Sequence, residues 1–265
     1  MSRLEIKHYP GFRAFTLLCL FILYAPMLVV SIYSFNSVRS ITNWGGFTFD
    51  WYIKAFNNPA IQSATFNSLL IAATASVIST SIALGAALAL NRGSAFRGQA
   101  SVFGLINLPL MIPEIVTAVA SLVFFVAIGF DLGLTTILIA HIVFCIPFAY
   151  LPISARLKGI EQHFDEAAQD LYASRWASFR YVMLPLLMPG VISGLMLAFI
   201  VSLDDFIITN MVAGPGATTL PLAIYSMVRV GFTPEINAIS TLLLLTSMLF
   251  VSLSWFASRS SNIQH

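Results

Sequence analysis

An all-α membrane protein of six spanning helices is predicted by three features of the sequence. Of the 265 residues, 58% are hydrophobic and only 9% are charged, too few charged groups to cover a soluble globule of this size. The apolar residues gather into six runs, each long enough to cross a bilayer core of roughly 30 Å as a helix. Basic residues divide unevenly between the two sides that alternating runs define. Arg3, Lys7, Arg13, Arg92, Arg97, Arg156, Lys158, Arg175, Arg180 and Arg259 fall on one side, against Arg39, Lys54 and Arg229 on the other. The positive-inside rule then makes both termini cytoplasmic. A net charge of +2, spread thinly between apolar runs, carries no nucleic-acid signature.

The first span runs from about Ala14 to Phe35. No small-residue cleavage site follows it, so it reads as a retained helix rather than a signal peptide. An external segment extends from Asn36 to about Gln62, with Gly45 and Gly46 as turn signals. Trp44, Phe47, Phe49, Trp51 and Tyr52 crowd its middle, as packing aromatics do at a membrane interface. Ala, Ser and Thr dominate the second span, about Ser63 to Leu90, and small side chains let helices approach closely. After a basic turn, the third span covers about Ala100 to Phe130 and carries Pro109, Pro113 and Glu114. Pro113 removes a backbone hydrogen bond and predicts a kink beside the carboxyl group. The fourth span follows Asp131 and runs to about Ile153, with His141 and Pro147 inside.

A polar island then occupies about Glu161 to Gly190. His163 to Ala173 predicts a short helix rich in good helix formers, and Ser174 is a candidate N-cap for a second one ending near Met183, before Pro185. Two such helices in series would form a bent knob facing the cytosol. The fifth span, about Leu186 to Ile208, holds Gly190 and Gly194 in GxxxG spacing and ends in Ser202-Leu203-Asp204-Asp205-Phe206. A second external segment reaches about Pro234, and the sixth span runs from Glu235 to about Phe256. The whole chain, 1–265, reads as one membrane domain, with the polar loop at about 155–185. Cys19 and Cys145 each lie within an apolar run and are expected to be buried, unpaired thiols.

An ionisable side chain inside a membrane helix costs on the order of 3 kcal/mol, so each one needs a reason to be there. Glu114 falls near the midplane if the third span is straight, roughly 21 Å from its inner end at 1.5 Å per residue. Two roles stay open for it, a cation site or a neutral, hydrogen-bonded packing group. Asp204 and Asp205 sit near the outer end of their span, their side chains about 100° apart, with Asp205 within about 20° of the small residues Gly194 and Ala198. Binding a cation would relieve the repulsion between such carboxylates; hydrated interfacial acids are the alternative. His141 reads as a hydrogen-bonded structural histidine.

Catalytic motifs are absent from the sequence. GPGATT, from Gly214, has neither the length nor the lysine of a phosphate-binding loop, so the chain cannot itself be an ATPase. No HExxH, nucleophile elbow or Cys/His cluster occurs. No catalytic residue, metal ligand or cofactor is therefore expected within this chain.

Within the island, Glu166, Ala167, Ala168, Asp170, Leu171, Ala173, Leu184 and Pro185 match the residues and spacing of a known motif. The segment resembles the EAA loop of membrane subunits of bacterial binding-protein-dependent ABC importers. One departure is that the family's glycine falls on Tyr172, where a tyrosine would be strained or would force a different turn. LYAPMLVVSIYSFN, SLDDF, GPGATTLP and PEINA look like the polyamine branch of these permeases, which moves putrescine and spermidine.

The resemblance implies a type I ABC importer permease in the bacterial inner membrane. It also implies a second permease subunit, two cytosolic ATPases that bind ATP and Mg, and an extracytoplasmic polyamine-binding protein. By the same likeness, Glu166, Ala167, Ala168, Asp170, Tyr172, Leu184 and Pro185 face the ATPase. A polyamine wants spaced carboxylates with apolar walls between them. Asp204 and Asp205 at the outer mouth and Glu114 deeper would form such a ladder, walled by Phe206 and Tyr225. A stand-alone channel or secondary transporter would account for the acids but not for the EAA island. An intramembrane aspartyl protease would need Asp204 and Asp205 to face one another across a water, whereas neighbours on one helix diverge.

Overall fold

The computed structural model describes residues 11–40, 43–93, 96–160, 163–231 and 233–260. Arg3, Lys7 and Glu161, and the side chain of Arg259, used in the expectations above, lie outside this description. Among the described residues twelve α-helices follow in order: α1 (Phe12–Tyr33), α2 (Asp50–Asn57), α3 (Pro59–Asn91), α4 (Gln99–Met111), α5 (Glu114–Ala127), α6 (Leu134–Lys158), α7 (His163–Asp170), α8 (Arg175–Ser178), α9 (Leu184–Asp204), α10 (Ile207–Val212), α11 (Leu220–Val230) and α12 (Pro234–Ser260). Among the described residues the one departure toward β structure is an isolated bridge between Asn36 and Phe47. Five helical segments are long and apolar enough to cross a membrane, and α4 with α5 makes a sixth if that bent pair counts as one span.

The third span is broken where a kink was expected, with α4 and α5 meeting at 109°. Proline disfavours the helical region for the residue before it. Ile112 is accordingly extended (φ −93°, ψ 137°), and Pro113 is extended as well (φ −54°, ψ 133°), so two consecutive residues leave the helix. Glu114 thus opens a new helix, and the straight-helix count that put it near the midplane does not hold.

The knob also differs from two separate short helices. Ser174 caps α8 as expected, its hydroxyl accepting from the Ala177 N–H at 3.2 Å. Yet α8 does not stop before Pro185; it continues through a π-helical turn, Phe179–Met183, directly into α9. The wider turn accommodates a position at which proline has no N–H to donate. The bend itself survives the loss of glycine. Tyr172 adopts the left-handed conformation (φ 58°), and the Ala173 N–H closes back on the Ala168 carbonyl at 3.0 Å, the bond of a Schellman helix end.

Two compact units make up the chain. Met1–Asn58 with Ser226–Leu245 forms one. Its tightest feature is a loop wound around Asn36, which is fully buried. The Asn36 amide donates to the carbonyls of Ser40 and Asn43 at 2.9 and 2.8 Å, and its Oδ1 accepts from the Gly45 N–H at 2.9 Å. Trp51 Nε1 donates to the Asn36 carbonyl at 2.7 Å, and Lys54 Nζ lies 4.3 Å from the Trp51 ring centroid. Phe47, Phe49 and Tyr52, three of the aromatics expected to pack together, gather around Phe35 beside this knot, Phe47 stacked on it and Phe49 edge-on. Cys19 is exposed on α1, which has no buried residue, so the expectation of a buried thiol fails there and holds only for Cys145.

Pro59–Tyr225 with Thr246–His265 forms the second unit, built on α3, α6 and α9 packed together. Small residues permit this contact. A Cβ added at Gly194 would lie 2.7 Å from the Ala149 carbonyl oxygen, and one at Gly190 would lie 2.7 Å from Arg156 Cβ. Ala83, Ala87, Cys145, Ala149, Ile153 and Leu187 fill one apolar core, and Ile71, Ala118, Ile137, Phe144, Ile208 and Val212 fill another.

Candidate functional site

Helices α6 and α9 run against each other with matching steps of four residues. His141 meets Ser202, Cys145 meets the Ala198 carbonyl at 3.5 Å, Ala149 abuts Gly194, and Pro152 and Arg156 abut Gly190. Residues four apart stack on one helix face, so each stripe is a single ridge. At one end of this seam Arg156 Nε donates to the Leu186 carbonyl at 2.9 Å. At the other end stands His141, 2% exposed.

Around His141 four elements converge. Its Nδ1 lies 2.8 Å from the Ser202 hydroxyl of α9, and its Nε2 lies 3.0 Å from both the Thr209 hydroxyl of α10 and Asp205 Oδ2. Asp205 sits in the two-residue gap between α9 and α10 and caps α10. Its Oδ2 accepts from the Thr209 N–H and hydroxyl, each at 2.9 Å, and its Oδ1 accepts from the Ile208 N–H at 3.3 Å. Glu114, half-buried at the start of α5, is within hydrogen-bonding reach of the same carboxyl group.

Glu114 and Asp205 therefore lie side by side, and the expected ladder, with Glu114 deeper than the aspartates, is not the arrangement found. The break at Pro113 is the reason, because it turns the third span so that α5 begins beside the α9–α10 gap. Asp204 does face elsewhere, as the helical geometry predicted. It is exposed, and accepts a hydrogen bond from the Ser247 hydroxyl at 3.2 Å. Phe206, two residues on, packs against Tyr225 with ring centroids 4.5 Å apart, and Tyr225 is exposed. The two aspartates belong to different surroundings and do not form a facing pair for proteolytic chemistry.

His141 was expected to be structural and hydrogen-bonded, which it is, but Ser202 and Thr209 were not read as its partners. Signals for both exist in the sequence. Ser202 continues the Gly190, Gly194, Ala198 stripe by one more step of four, and Thr209 follows Asp205 by four. Among the described residues no group of three or more His, Cys, Asp or Glu could hold a metal ion.

The knob presents a different chemistry. Glu166, Ala167 and Asp170 are exposed, Ala168 is buried, and beyond the knob Leu184 is half-buried and Pro185 exposed. Leu171, Tyr172, Trp176 and Tyr181 are exposed by 82%, 99%, 67% and 75%, so large apolar side chains stand uncovered along this segment.

Comparison with known proteins gives a consistent result. Residues 81–261 match the family of binding-protein-dependent transport system inner membrane components. The chain is 39% identical over 262 residues to the putrescine transport system permease protein PotI of Escherichia coli (strain K12), spanning 97% of this chain and 93% of that one. It is 41% identical over 237 residues to the spermidine/putrescine transport system permease protein PotC of the same organism, spanning 89% of each. A chain from the solved structure of a bacterial ABC transporter that imports the acidic polysaccharide alginate superposes with a TM-score of 0.70 at 18% identity, covering 96% of both chains. At that identity the likeness is one of fold.

Proposed function

Because the chain belongs to the family of binding-protein-dependent transport system inner membrane components, we propose that it is the membrane permease subunit of an ATP-driven importer of polyamines, putrescine or spermidine. It is a multi-pass protein of the inner membrane. The permease carries no ATPase chemistry of its own in this reading; ATP and Mg are bound by two cytosolic subunits. A second permease subunit completes the path, and an extracytoplasmic binding protein delivers the amine. Both termini face the cytoplasm, in line with the distribution of basic residues.

The observation that supports the substrate is the exposed Asp204, two residues before Phe206, whose ring packs on Tyr225, in a chain about two-fifths identical to a putrescine and a spermidine/putrescine permease. Fold does not choose the cargo, since a chain of the same fold belongs to an importer of an acidic polysaccharide. A carboxylate next to aromatic faces does choose, because an ammonium group gains a charge-assisted hydrogen bond and a cation–π contact while the adjoining methylenes lie on the rings. Asp205 and Glu114 lie behind this surface, and whether either meets the substrate is a separate question from whether they hold the helices.

Coupling runs through the knob. Glu166, Ala167, Ala168, Asp170 and Tyr172, with Leu184 and Pro185 beyond, face the ATPase, and closure of the ATPases on ATP shifts the population between inward-open and outward-open states. The seam of α6 and α9 is continuous from Arg156, near the knob, to His141, so a movement of the knob reaches the acidic cluster through packed backbone rather than flexible side chains.

The test is ATP hydrolysis and amine uptake by the reconstituted complex with its binding protein. Putrescine or spermidine is expected to stimulate both. Stimulation by neither amine, with a different solute active, would overturn the substrate assignment; hydrolysis by the permease alone would overturn its role.

A further inference from the structure

We propose that His141 is a positioning residue for transport. It holds Asp205 as the closed joint between α9 and α10, so that of the adjacent acidic pair only Asp204 is presented to a cationic substrate. This rests on the transport function proposed above.

Asp205 is 6% exposed, and its two oxygens are occupied by the Ile208 and Thr209 N–H groups, the Thr209 hydroxyl and His141 Nε2, with the Glu114 carboxyl group beside them. An ammonium group could reach it only by breaking these bonds. Asp204, one residue earlier, is exposed and accepts from the Ser247 hydroxyl at the protein surface. The division between them is imposed from α6. His141 Nε2 faces Asp205, and since an ionised carboxylate can only accept, that contact calls for a proton on Nε2, while Nδ1 faces the Ser202 hydroxyl on α9. One imidazole thus bridges the end of α9, the gap and the first turn of α10, which a side chain with one polar end could not do. Since α6 also holds the far end of α9 through Arg156 and Leu186, displacement of α6 would move the joint, and Asp204 with it.

The experiment compares Asp204→Asn, Asp205→Asn, His141→Ala, His141→Gln and the double variant His141→Ala/Asp205→Asn in the assembled complex, with rates expressed per assembled complex. Asp204→Asn is expected to raise the putrescine concentration for half-maximal uptake by roughly tenfold or more, with little change in maximal rate. Asp205→Asn and His141→Ala are expected to lower the maximal rate by roughly tenfold, with the half-maximal concentration within about twofold of the parent. The double variant should be no worse than the poorer single by more than about twofold, since each single change already opens the joint. His141→Gln keeps a donor for Asp205 and should recover part of the rate; it replaces His141→Ala if that variant does not assemble.

A half-maximal concentration raised equally by Asp205→Asn and Asp204→Asn overturns the proposal, as does a parental rate per assembled complex in the His141 variants. A second readout needs no transport substrate. Carbodiimide-driven coupling of glycine ethyl ester to the purified parent complex should label Asp204 and spare Asp205, and His141→Ala or His141→Gln should expose Asp205. Equal labelling of both in the parent overturns the division of roles even if polyamines prove not to be the cargo, whereas failure of both amines to drive uptake with the labelling intact removes only the substrate assignment.

Discussion

Replacing Tyr172 by glycine and by alanine separates two contributions that the knob combines at one residue. The backbone there is left-handed, at φ 58°, in the position after α7 where glycine is usual. A side chain in that region costs about 1 kcal/mol, alanine nearly as much as tyrosine, and glycine almost nothing. The ring is 99% exposed, so its removal takes no packing from this chain. Tyr172→Gly should then favour the bent knob over its alternatives by about fivefold relative to Tyr172→Ala, the ratio that about 1 kcal/mol corresponds to.

If the ring enters a groove on the ATPase, burial of about 150 Å² at about 25 cal/mol per Å² sets an upper bound near 4 kcal/mol. Loss of half of that would weaken docking by about thirtyfold in both variants. The assay is the affinity of the purified permease for its ATPase subunit, with substrate-stimulated hydrolysis as a companion. The expected order is parent tightest, then Tyr172→Gly, with Tyr172→Ala weaker than Tyr172→Gly by at most about fivefold, the full ratio being reached only where the bent knob is the minor form before docking. Tighter docking by Tyr172→Ala than by Tyr172→Gly would refute the backbone argument, and parental affinity in both would refute any part for this residue in docking.

Glu166→Lys should leave the permease inserted and folded, because the side chain is exposed, yet abolish uptake by placing a repelling charge against the ATPase; unchanged uptake would remove Glu166 from the contact. Gly194→Ala must push α9 away from the Ala149 carbonyl and should destabilise the permease by about 1–3 kcal/mol, read as a lower thermal unfolding midpoint. Gly85→Ala is the control, since a Cβ there meets nothing within 4 Å. Asn36→Ala strands the carbonyls of Ser40 and Asn43 and should loosen the loop by about 2–4 kcal/mol, seen as faster proteolysis between residues 37 and 50 with the spans intact.

Local rules reached far along this chain because a bilayer leaves few options. An apolar run of bilayer length has to satisfy its own backbone, so span positions followed from composition alone, and α1, α3, α6, α9 and α12 lie close to where the runs placed them. The N-cap at Ser174 and the divergence of Asp204 from Asp205 were also legible, since capping and the 100° helical step act within a few residues. The size of the break at Pro113 was not. A missing hydrogen bond says that a helix weakens, whereas the 109° turn depends on which neighbours receive α5 once Ile112 and Pro113 are both extended. For the same reason the sequence placed Glu114 by counting along a straight axis and missed its contact with Asp205, 91 residues away. Tyr172 reverses the case. Steric preference argued against a left-handed tyrosine, but the Ala173–Ala168 bond, the capped start of α8 and the π-helical turn into α9 together fix the bend, and a cost of about 1 kcal/mol is too small to undo them. Sequence alone thus determined what enters the membrane and which residues carry charge there; which of those charges meet each other was decided by the packing of α5, α6, α9 and α10, because contact between distant segments is a property of their joint geometry and of no segment by itself.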